Sequence, residues 1–143
     1  MASINLDIWL ALKTRVDALS ITSALWPVWP IAWPGSDYSP VSGKPFLAVG
    51  KVTAQPVRRV INQNISDRTG MLMVSAVMPL GQDAAVYEDV AGKIVDQFQG
   101  CIYRNGLTLR LMSASGVTAY PTDGYRDGGW WRVPVTIPWR TWV

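Results

Sequence analysis

A chain of 143 residues with net charge +3, 49% hydrophobic but only 16% charged, is long enough to bury a core of its own and is apolar for a solitary soluble domain. It has no histidine and one cysteine, Cys101, which excludes Ser-His-Asp and Cys-His triads, histidine bases, Cys/His zinc sites and intrachain disulfides. The thirteen Lys and Arg are scattered and only Arg58 and Arg59 are adjacent, unlike the basic stripe of a nucleic-acid binder.

The N-terminal residues lack the basic-then-apolar order of a signal peptide. No stretch approaches the ~20 apolar residues of a membrane span, so the expectation is a soluble protein made and kept inside the cell. Residues 4–19 predict a helix, with Ile8, Trp9, Leu12, Val16 and Leu19 on one stripe. Leu6 and Leu10 project away from it and offer a second contact surface. Residues 24–34, ALWPVWPIAWP, are stiffened by prolines into an extended strap, followed by a loop from Gly35 to Pro45.

Phe46 to Thr53 reads as a strand. Val57 to Ile65 and Gly70 to Met78 read as a long hairpin turning at Ser66-Asp67-Arg68-Thr69-Gly70, its polar end standing clear of the domain body. Asp83 is placed to cap a helix over 84–99 that Gly100 ends; its apolar side carries Tyr87, Val90, Ala91, Ile94, Val95 and Phe98, opposite Glu88, Asp89, Lys93 and Asp96. Leu107 to Leu111 alternates as a half-buried strand, and residues 120–129 read as a loop. In the last strand, Trp130 to Trp142, the odd positions Trp131, Val133, Val135, Ile137 and Trp139 form an apolar face. Pro134 and Pro138 both withdraw a donor from the same side of that strand, which predicts a sheet edge in need of a cover.

The resulting fold class is α+β: a single domain over 1–143, with a largely antiparallel or mixed sheet, two helices packed on one face and a long projecting hairpin. Chemistry is hard to find in it. Ser42-Gly43-Lys44-Pro45 fails as a phosphate loop at both ends, and Asp123 and Asp127 are explained by turn formation better than by a cation. Cys101 follows a helix C-terminus, which disfavours a thiolate. The eight tryptophans leave three readings open: core packing, subunit anchors or a stacking platform for sugar or single strands.

In the order of its parts the chain resembles the tail terminator proteins of long-tailed bacteriophages. The resemblance rests on the helix INLDIWLALKTRVDAL, the strap WPVWPIAWP, and the passage through MPLGQDA into the helix VYEDVAGKIVDQF. The strand GLTLRLMSA and the closing strand WWRVPVTIPWRTW complete it. It implies a structural virion protein without catalysis or cofactor, located in the tail at the head–tail junction after assembly in the host cytoplasm. Such proteins form a hexameric ring that caps the tail tube, ends its elongation and presents a surface to the head-side connector. Phage DNA passes through the lumen without sequence-specific binding, and no membrane is involved. On this reading Leu6, Leu10, Trp130 and Trp142 are subunit-interface candidates. Arg58, Arg59, Asn62, Asp67 and Arg68, at the expected hairpin tip, are candidates for contact with the tail tube or an adjoining copy. The alternatives are a head-side neck protein and, from another class, a tryptophan-rich ligand-binding module.

Overall fold

The computed structural model describes residues 3–21, 25–57 and 65–142. Helix α1 (Ile4–Asp17) begins where the Ser3 side chain accepts from the Leu6 amide at 3.2 Å, satisfying one of the free first-turn donors. It buries Ile8, Ala11, Leu12 and Val16. The strap touches the sheet through β1 (Ile31–Ala32), parallel to β2 (Phe46–Thr53). Its tryptophans brace it: Trp29 Nε1 donates to the Trp26 carbonyl at 2.9 Å, and Trp33 meets the edge of Trp9 at 6.1 Å between ring centroids.

Then follow β3 (Asp67–Pro79), α2 (Ala84–Gln97), β4 (Cys101–Arg104), β5 (Leu107–Arg110), β6 (Tyr120–Pro121), β7 (Tyr125–Asp127) and β8 (Trp130–Trp142). Asp83 caps α2 by accepting from the Ala85 amide at 3.0 Å. The β4–β5 turn is Asn105-Gly106 with φ of 48° and 80°, the left-handed pair that suits a two-residue hairpin. The sheet runs β1-β2-β3-β8-β5-β4, with β6 and β7 also paired to β8. It is mixed and curled, parallel only at β1–β2.

Register sorts the two faces. Leu47, Val49, Leu72, Val74, Ala76, Met78, Val133, Val135, Ile137 and Trp139 share the face covered by α1 and α2, and with Ile8, Leu12, Ile94 and Phe98 they form one core. The odd positions Val133, Val135, Ile137 and Trp139 of β8 are thus in the core, on the face their alternation predicts, with Trp131 half-buried beside them. Thr136 and Pro138 on the other face are buried as well.

Three expectations are corrected. First, β3 pairs with β2, Gly70 opposite Thr53, and the Asp67–Gly70 segment is strand rather than turn. Its turn-forming residues are used otherwise: the Asp67 carboxylate binds Arg140, and Gly70 leaves room for the Trp139 indole. Of the expected partner strand, Val57 makes one isolated bridge to Asp67 and residues 58–64 lie outside the described residues. Second, β8 is central. It pairs with β3 along its whole length on one side and with β7, β6 and β5 on the other. The parity argument locates the missing donors correctly, because Pro134 turns its carbonyl toward β6, accepting from Thr122 at 2.8 Å. That side is served by three short strands, and the prolines fall between their pairings at Arg132, Val135–Thr136 and Arg140. Third, residues 120–129 are not wholly loop but contribute β6 and β7.

Candidate assembly surfaces

The helix-free face of the sheet is the first surface. Cross-strand partners lie on one face, and two rows cross it: Val52–Met71–Pro138, and Gly50–Met73–Thr136–Tyr120. Val52, Met71, Met73 and Tyr120, with Val117 beside them, are each between 36% and 51% exposed. Val52, Met71, Val117, Tyr120 and Pro138 share a shallow depression of about 550 Å³. Neither helix covers this face, so the β-forming residues that pair so well along the strands leave apolar side chains in water. Contiguous patches of this kind mark contact sites. The sequence signal was present in Met71 and Met73, but the unbroken apolar run Met71-Leu72-Met73-Val74 does not tell which face of the strand stays open.

The second surface lies at the end of β8. Trp142, 48% exposed, shares a cleft with Ile4 and Asp7 of α1 and with the Asn105-Gly106 turn. The Arg140 guanidinium sits 4.8 Å from its ring centroid. Leu6 is exposed in the same first turn of α1, whereas Leu10 is half-buried. Trp130 is at the far end of β8, twelve residues and roughly 40 Å along the strand, half-buried against Phe46 with ring centroids 5.6 Å apart. The structure therefore brings Leu6 and Trp142 to one end and separates Trp130 from them.

Of the expected hairpin-tip residues, Asp67 is buried and its carboxylate holds Arg140 through two hydrogen bonds of 3.0 Å, to Nε and Nη2. Arg68 is half-buried on the helix side of the sheet. Arg58, Arg59 and Asn62 lie outside the described residues. Fork-to-fork arginine pairs hold their geometry well. Asp67→Asn is accordingly expected to lower the urea midpoint several-fold more than Asp127→Asn, which loosens only the exposed Arg132–Asp127 pair. Equal shifts for the two variants would remove the Asp67 pair as a support of the β3–β8 end.

The tryptophans divide in favour of packing. Trp26 and Trp139 are buried, while Trp9, Trp29, Trp33 and Trp131 pack partly against the core. Trp131 stacks on Tyr87 at 5.5 Å. Only Trp142 is exposed, so no row of open indoles exists for a sugar or single strand to stack on. Among the described residues no three His, Cys, Asp or Glu cluster in a way that would hold a metal ion, and no helix is long and apolar enough to cross a membrane.

A family model described as phage tail terminator protein matches residues 7–139. A solved protein structure superposes on 98% of this chain and 96% of its own with a TM-score of 0.75 at 18% identity, which shows the fold alone. No curated protein matches the chain.

Proposed function

From the premise that this chain belongs to the phage tail terminator family, a family of structural proteins of the virion tail, we propose that its copies close into a hexameric ring. The ring caps the tail tube, ends elongation and presents a surface to the head-side connector, with phage DNA passing through its lumen; the chain does this by contact alone, without catalysis. The observation that carries this reading is the helix-free sheet face. Along its rows Val52–Met71–Pro138 and Gly50–Met73–Thr136–Tyr120, Val52, Met71, Met73 and Tyr120 are exposed, an apolar surface that neither helix covers and that tube or ring contacts would cover. The Leu6–Trp142 end offers a smaller second patch.

The test is tail assembly with Met73→Glu and Tyr120→Glu combined. Both side chains are exposed, so the thermal transition should stay within a few degrees of the wild type. Protein at tube ends should be lost, and tube lengths should spread beyond the set value by micrograph. Normal lengths with this variant would remove the sheet face from the contact. Wild-type protein that binds heads and ignores tubes would reassign the chain to the head side of the neck.

A further inference from the structure

On the helix side of the sheet, at the corner where Thr53, Gly70 and Trp139 lie side by side, the first turns of α1 leave a cleft of about 110 Å³. Asn5, Lys51, Thr53, Arg68 and Trp139 line it over an apolar floor that includes Ile8. Register accounts for the crowding of base there. Lys51 stands opposite Leu72 and Arg68 opposite Thr141, so both cations point to the face that elsewhere is core.

Among the described residues no acidic one lines this cleft. The Lys51 ammonium rests 5.6 Å from the Trp139 ring centroid, and burial lowers its pKa from the ordinary lysine value. Arg68 Nε and Trp139 Nε1 are buried donors that find no acceptor among the described residues. Buried N–H groups are seldom left so, and here two of them belong to residues around one small space. The N-terminus of α1, at Ser3 and Asn5, adds the positive end of a helix dipole. The acid of that turn, Asp7, lines the separate cleft beside Trp142. The space is short of an acceptor, and every charge facing it favours a negative one.

The same chain carries the complement. The outward side of α2 presents Glu88, Asp89 and Asp96. Asp89 is engaged by Lys93 at 2.9 Å, while Glu88 and Asp96 are exposed and have no ion pair among the described residues. We propose that the Lys51–Arg68 cleft of one copy receives a carboxylate, Glu88 or Asp96, from helix α2 of the neighbouring copy. This rests on the ring reading and names its repeating contact. Two different patches on each copy meet head to tail, which is the kind of contact that closes a ring.

The experiment uses the full chain and two charge variants, Glu88→Lys with Asp96→Lys, and Arg68→Glu, followed by light scattering and by micrographs with tail tubes. Each variant alone should need on the order of 100-fold more protein to form rings, the scale expected when one partner of a close interfacial charge pair is lost. Mixed in equal amounts they should assemble again, because each reversed cleft then meets a reversed helix. Such alternating rings close only with an even number of copies, as a hexamer has. Recovery on mixing establishes the contact. Unimpaired rings from the helix variant, whose substitutions are exposed and leave the fold intact, overturn the inference while the ring reading stands. So does loss that mixing does not repair. Wild-type protein that forms no ring, alone or on tubes, overturns both.

Discussion

Gly70→Val is expected to remove most of the stability of the fold, about 4 kcal/mol, which takes much of the roughly 5–15 kcal/mol that holds a domain together. Gly70 lies in β3 between Thr53 and Trp139. A Cβ there would fall inside the Trp139 indole and the Val52 carbonyl oxygen. Trp139 is 1% exposed, packed in the core, and the Val52 oxygen belongs to the neighbouring strand. Either the indole leaves the core or β2 and β3 part. Gly50, on the open face of β2, has nothing within 4 Å of the same position, and Gly50→Ala should move stability by no more than about 0.5 kcal/mol. Urea unfolding of the two variants checks the contrast. Combining Gly70→Ala with Trp139→Leu should cost less than the sum of the two single changes, since each relieves the crowding of the other. A Gly70→Val protein as stable as the wild type would show that the indole is not held against the strand.

Phe98→Ala is expected to cost about 4 kcal/mol as well, by leaving a cavity, and to lower the thermal midpoint by roughly 12 °C. Phe98 is fully buried and forms the C-cap of α2, its amide donating to the Val95 carbonyl at 3.1 Å. It sits where the ends of the two helices are tied together. Arg15 donates to the carbonyls of Gln97 and Cys101 at 3.1 Å each, and the Gln97 side chain binds both the amide and the carbonyl of Ser20, at 2.7 and 2.9 Å. These bonds lie nearer the surface, and Gln97→Ala should cost about 1 kcal/mol. A Phe98→Ala loss no larger than that of Gln97→Ala would mean that the junction is held by its hydrogen bonds rather than by the ring.

Local periodicity made the regular elements legible. The limits of β2 and β8, the Asp83 cap and the buried side of α2 follow from alternation, a capping residue and a helical stripe, all of which act within a few residues. Position in the sheet did not follow. Pro134 and Pro138 told which side of β8 lacks donors, but a sheet edge and a side served by three interrupted strands make the same demand on those residues. Asp67 and Gly70 were misread for a related reason. Their turn preference is intrinsic, whereas the Arg140 guanidinium and Trp139 ring that claim them are about seventy residues away in sequence. Of the candidate surfaces, Leu6 and Trp142 could be picked out as apolar residues on polar faces. Their meeting at one end, the apolar rows and the cleft between Lys51 and Arg68 depend on register, which no short window of sequence contains.

The two prolines of β8 also guard against misalignment. If β8 slid by one residue against its neighbours, every side chain would exchange faces, and Pro134 and Pro138 would turn their ring nitrogens toward β3, where the ladder is unbroken over thirteen pairs. The slipped strand would lose two hydrogen bonds in the one place that offers no gap, besides exposing Val133, Val135 and Ile137. A long apolar strand that must find one partner during synthesis, among many copies of itself, thus carries its own alignment marks.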